Sequence, residues 1–277
     1  MTTFLRSVAA EFSKIFTTRL WWILAIVLFC YIGLLAGGLA ALFAGIQTGV
    51  ISPDAVNTGG GVTTFGSLPP LIYSFASSVG YVFPVLLGAL ATTGEFRHQT
   101  LTPTFLATPR RGVVLGAKTV TLILIGAGFG VVALAASVGL GGGLLSAFGV
   151  DALLLDSQTW LLVVRTLLAM GLWAAIGVGL GVLVPNQVAS IVIVLAFTQF
   201  IEPLLRLAAS FLEVTAQIGN FLPGAASDAL VGASVFTIAN PAGAALLDWW
   251  QGGLVLLGYA VVGTVIGYAA SWKKDVT

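Results

Sequence analysis

His98 is the chain's one histidine and Cys30 its one cysteine in 277 residues, too few for the imidazole and thiolate set of a transition-metal centre. No serine–histidine pairing is suggested by the sequence, and the signature of an intramembrane protease is absent. Cys30 stands inside an apolar run and reads as a small packing hydrophobe. Gly112 to Thr119, GVVLGAKT, approaches a phosphate-binding loop but has Ala117 where the last glycine belongs. Such a loop wraps its N–H groups around phosphates between a strand and a helix, and Pro109-Arg110-Arg111 stands here in place of the strand. Lys118 therefore reads as an anchor at a membrane edge, and the chain as no enzyme by itself.

Two sets of charges remain that could do work. The first is the polar island Gly94 to Lys118, which holds Glu95, Arg97, His98, Arg110, Arg111 and Lys118 in a chain that is 8% charged. A protein this apolar keeps such a segment wet for a reason, and a soluble partner docking there supplies one. The second set lies inside apolar runs: Arg165, Glu202 and Arg206. Charges inside spans are costly and usually partnered. Glu202 and Arg206 are spaced to pair along one helix face. The expectation is that Glu202 bridges Arg206 and Arg165, tying two spans together near the outer side, with a gate at the outer mouth as the alternative.

The elements that carry these residues follow from hydropathy. A hydrophobic fraction of 58% and a mean hydropathy of +1.07 are too apolar for a soluble domain. Apolar runs long enough to cross ~30 Å of hydrocarbon recur along the chain. The ~10-residue alternation of a β-barrel is not seen. The sequence predicts an all-α membrane protein, one transmembrane domain over 1–277, with six spans at about 21–44, 71–93, 113–140, 160–184, 188–211 and 249–272. Ahead of them, Thr3 to Leu20 places Phe4, Leu5, Val8, Phe12, Ile15 and Phe16 at helical spacing, with Arg6, Glu11, Lys14 and Arg19 opposite. This is an interfacial helix and not a signal peptide, since the apolar run after it is too long for an h-region of ~7–15 residues.

Between the spans, 94–112 forms the polar loop. The segment 213–248 is broken by Gly219, Pro223, Gly224, Gly232 and Pro241, and suits short interfacial or re-entrant helices. Pro84 should kink the second span, and Gly141-Gly142-Gly143 should end the third. The glycine pairs Gly126/Gly130, Gly177/Gly181 and Gly263/Gly267 fit close helix packing.

With six spans, Arg6, Lys14, Arg19, Arg97, Arg110, Arg111, Lys118, Lys273 and Lys274 share one side. The opposite loops carry Asp54, Asp151, Asp156, Glu213, Asp228 and Asp248 and no cation. By the positive-inside rule both termini and the polar loop are cytoplasmic, in a multi-pass protein of the lipid bilayer. The abundance of Gly, Ala and Val with few Lys fits a GC-rich bacterial genome, hence the bacterial plasma (inner) membrane. A net charge of +1 gives no argument for nucleic acid.

The residues together resemble the membrane subunits of type-2 ABC exporters, the ABC-2 permeases. The resemblance covers nearly the whole chain through its interfacial helix, six spans, polar second loop and broken outer segment. Its most specific local part is Glu95-Phe96-Arg97 through Thr100, followed by Pro109-Arg110-Arg111 and Lys118. Gln99 stands where that family often has glycine. Phe221-Leu222-Pro223-Gly224 to Ala229-Leu230 is similar to the family's outer segment.

The resemblance implies a coupling helix over Glu95 to about Leu106, with Glu95, Phe96, Arg97, His98, Thr100, Arg110 and Arg111 engaging an ATPase, and Thr3 to Arg19 an elbow helix beside it. It implies as partners two copies of a separate ABC ATPase subunit and a second permease copy, in a homodimer or heterodimer. ATP and Mg would belong to the ATPase, and no cofactor to this chain. The apolar spans favour an amphipathic or lipid-like cargo, and the resemblance implies a drug-, peptide- or lipid-like substrate moved outward. The alternatives are an ion-coupled secondary transporter and a non-transporting scaffold or immunity protein.

Overall fold

The computed structural model describes residues 3–51, 68–209, 213–234 and 247–272, and these are helical with no strand among them. Six segments are long and apolar enough to cross a membrane: Leu20–Gln47, Leu68–Arg97, Arg111–Ala147, Ser157–Leu183, Gln187–Ala209 and Trp249–Trp272. This is the architecture of a multi-pass helical membrane protein. Asp54, Phe211, Pro241, Lys273 and Lys274 lie outside the described residues.

The amphipathic N-terminal stretch forms α1 (Thr3–Phe16), which turns at Thr17 to Arg19 before the first span, α2 (Leu20–Gln47). α1 buries Glu11 and Ile15 while Phe4, Leu5 and Phe16 stay exposed.

The second span is two helices, α3 (Leu68–Ser78) and α4 (Val82–Arg97), separated at Val79 to Tyr81. The sequence reading placed the disturbance at Pro84. The break sits one turn earlier because proline lacks the N–H that would bond to the Gly80 carbonyl and its ring crowds that carbonyl. α4 leads into a short helix, α5 (Leu101–Ala107), and then α6 (Arg111–Ala136).

The third span does not end at Gly141–Gly143. It passes through a π-helical turn at Ser137–Gly142 into α7 (Gly143–Ala147). The glycines serve as contact points: a Cβ on Gly142 would stand 2.7 Å from the Tyr73 hydroxyl, and one on Gly141 would collide with Ile72. The fourth span, α8 (Ser157–Leu183), opens on an Asp156 cap. Asn186 caps α9 (Gln187–Ala196), which continues through a π-helical turn at Phe197–Ile201 into α10 (Glu202–Ala209). Two short helices follow, α11 (Glu213–Gly219) and α12 (Pro223–Val231), and the last span is α13 (Trp249–Gly267) with a π-helical turn at Tyr268–Trp272.

α8 is the central helix and packs on α4, α6 and α13. Small residues let the backbones meet, which is how helices associate where hydrocarbon removes the hydrophobic drive. Gly177 faces the Val85 carbonyl of α4, and Gly126 of α6 faces the Met170 carbonyl of α8. A Cβ on Gly267 would stand 2.8 Å from the Leu183 nitrogen. Each of the three glycine pairs thus lies at a helix crossing. The outer flanks of α2, α9 and α13 instead expose Leu34, Val192, Val262 and Val265, side chains suited to lipid.

Candidate functional site

The polar loop is α5 with the turns on either side of it. α4 ends at His98, and Gln99 takes a left-handed backbone, φ 54°. The Gln99 N–H donates to the Phe96 carbonyl and the Thr100 N–H to the Glu95 carbonyl, the pair of bonds that closes a helix when a left-handed residue follows it. Glycine usually holds that position because any side chain there costs energy. The fully buried Leu101 fixes α5 to the body.

Trp272 then clasps the loop from the end of the last span. Its ring meets Phe96 and Phe105 edge-on at 5.7 Å and 5.6 Å, and its indole N–H donates to the Arg111 carbonyl at 3.2 Å. The Arg111 guanidinium lies 5.0 Å from the Phe105 ring centroid. Arg97 donates to Gln187 at the start of α9 at 2.8 Å. The outer surface includes Arg97, His98, Thr100, Leu106 and Arg110, with Leu106 79% exposed.

Glu95 is not part of that surface. It is buried between α1 and α6, in a cluster with Glu11, Lys14 and Lys118. Lys118 pairs with Glu11 and stands 3.2 Å from Glu95, and Lys14 reaches Glu11 at 2.6 Å and Glu95 at 2.7 Å. Lys118, 2% exposed, is therefore a buried ion-pair partner. Burial pushes the Glu11 carboxyl up, but the two lysine ammonium groups outweigh it and hold it below its ordinary value. Burial likewise opposes the charge on Lys14, and Glu95 and Glu11 outweigh that and raise it.

A second buried cluster lies at the far end of the spans. Arg206 contacts Glu202 at 3.3 Å, one turn back on α10, and Asp228 of α12 at 2.7 Å. The Gly224 N–H at the start of α12 donates to Glu202, a carboxylate placed where a helix N-terminus favours one. The Ser78 hydroxyl donates to Asp228 at 2.9 Å. Beside them Tyr81 stacks on Trp173 with centroids 4.2 Å apart, and the Trp173 indole donates to Ser227 at 3.0 Å. One Glu202 oxygen, Oε2, is buried without a hydrogen-bond partner, as is Oε2 of Glu95.

The tie expected between Glu202 and Arg165 is not formed. Asp228 takes that place, so the fifth span is joined to α12 instead of to α8. The reason is depth: Asp228, assigned by sequence to an outer loop, sits on a short helix folded in among α3, α8 and α13 and is 7% exposed. Arg165 instead lies over Trp249, 5.1 Å from the ring centroid. No group of three or more His, Cys, Asp or Glu among the described residues is placed to hold a metal.

The chain matches no protein-family model and no curated protein.

Sequence reasoning did not find the residues that immobilise the loop, namely Glu11, Lys14, Gln187 and Trp272. One signal was available for Lys118. It stands about two turns inside an apolar helix, where an ammonium group needs a partner. Trp272 marks only the end of an apolar run in the sequence, and the fold brings it against Phe96 and Phe105.

Proposed function

We propose that the chain is the membrane-spanning permease subunit of an ATP-driven exporter of the ABC-2 type, docking a separate ATPase through the α4–α5 loop. In this reading Thr3–Phe16 is the elbow helix, α12 is a re-entrant helix, the loop and both termini face the cytoplasm, and two copies of the chain flank the substrate path. One observation carries the reading. The loop exposes Arg97, His98, Leu106 and Arg110 while its inner side is locked to the N-terminal helix and to the third and last spans by Glu95, Arg111 and Trp272. A surface that is polar outside and rigidly joined inside can pass a partner's motion into the spans. The left-handed Gln99, at the position where the family often has glycine, agrees with this alignment.

The test is whether a neighbouring gene encodes a P-loop ATPase that co-purifies with this chain, followed by ATP turnover with Arg97→Glu, Leu106→Glu and Arg110→Glu. Each variant should keep the fold and lower permease-stimulated turnover roughly tenfold, as loss of a central interface anchor does. Full stimulation in all three would remove the docking assignment. A second reading, an ion-coupled carrier, rests on the buried unpartnered Oε2 of Glu202 and predicts that Glu202→Gln abolishes transport in the absence of any ATPase.

A further inference from the structure

Arg165 is a cation inside a span that neither buried cluster absorbs. It lies about two turns into α8, beside the exposed apolar residues Leu161, Val164 and Leu168. Its guanidinium lies over the ring of Trp249, the first residue of α13, and Trp160 and Trp250 are exposed at the same end of the spans. Tryptophans of this kind collect at the headgroup level of a bilayer. A guanidinium held against one of them has been carried up to that level by its aliphatic stem.

The protein positions this cation without using its hydrogen-bond donors. Among the described residues no carboxylate pairs with Arg165 and no acceptor takes its N–H groups. The described acids at this end are committed elsewhere. Asp151 accepts from the Leu153 N–H, Asp156 caps α8, Asp248 caps α13, and Glu202 and Asp228 share Arg206. A Cβ built on Gly232, which closes α12, would stand 3.2 Å from an Arg165 nitrogen. The guanidinium therefore also sits by the carbonyl end of that helix, which favours a cation. Trp249 and the α12 terminus hold the charge in place, and the planar fork of donors is left over. That fork matches the oxygens of a phosphate in pairs.

We propose that Arg165, backed by Trp249, is a seat for a phosphate group, supplied by the phosphodiester of a lipid headgroup at the far face of the membrane. The inference rests on the six spans and does not depend on the exporter reading.

The experiment uses the full chain purified in detergent and follows thermal unfolding and, by native mass spectrometry, retained lipid. The probes are phosphatidylglycerol, phosphatidylcholine, diacylglycerol and sodium phosphate. Both phospholipids should bind and raise the unfolding midpoint, and diacylglycerol, which has no phosphate, should not. Arg165→Gln should bind the phospholipids roughly tenfold more weakly, as loss of charge-assisted hydrogen bonds predicts. Arg165→Lys should fall between, and the lipid effect on each variant is read against its own midpoint without lipid. Equal retention by wild type and Arg165→Gln overturns the seat. Protection of the wild type alone by sodium phosphate, with no lipid effect, keeps the seat and assigns its occupant to the solution.

Discussion

At the basic end two carboxylates meet two ammonium groups; at the far end two carboxylates meet one guanidinium. The first cluster, Glu11, Lys14, Glu95 and Lys118, balances its charge with charge and joins α1, α4 and α6. The second, Glu202, Arg206 and Asp228, makes up the difference with neutral donors, the Gly224 N–H and the Ser78 hydroxyl, and joins α3, α10 and α12. A balanced ionic set suits a joint that must stay closed. A set with excess acid depends on the placement of α12, so moving that helix would remove two of the donors that make the burial tolerable.

The comparison can be broken most severely at Arg206. Arg206→Met should cost about 3–5 kcal/mol in unfolding, because it leaves two carboxylates buried without their cation. Denaturation in detergent would show it, and Glu202→Gln added to Arg206→Met should recover part of the loss. Lys118→Met should cost less, about 3 kcal/mol, since Lys14 still faces both acids of its cluster. An equal or larger loss at Lys118 would reverse the ranking of the two clusters.

The pH response sharpens the same contrast. The Glu11 carboxyl is held low in the fold, so its stabilisation is present above the ordinary carboxylate value and is lost as pH falls through the depressed one. Lys14 is held high, so its stabilisation is present below the ordinary lysine value and is lost as pH rises through the raised one. Unfolding midpoints of wild type and Glu11→Gln should therefore differ across neutral pH and converge in strong acid. The smallest effect belongs to the loop. Gln99→Gly should stabilise by about 1 kcal/mol by relieving the left-handed backbone, read as a rise in unfolding midpoint.

These clusters also mark where sequence reading stopped. The spans were legible because a run of apolar residues long enough to cross a bilayer has few other uses, and the crossing glycines because their helical spacing is local. Burial of Glu95 was not legible: it stands next to Arg97 and His98 in the chain and differs from them only in which side of α4 it occupies. Asp228 was placed outside because its segment is too broken to span, yet a short helix can still be folded inward if its ends are satisfied. Pro223 at its start and the left-handed Gly232 at its end do that, φ 85°. Contacts made across the fold, such as Trp272 on Phe96 or Ser78 on Asp228, leave no periodicity to read.

The backbone contact between α4 and α8 has a mechanical consequence. Gly88 of α4 packs on the Ala174 carbonyl, and from there α4 runs unbroken to Arg97, roughly 14 Å at helical rise. No side chain cushions the crossing, so the two backbones form a hard bearing. A displacement at the loop would become a tilt of α4 about Gly88, and the break at Val79 to Tyr81 is where that tilt would pass into α3.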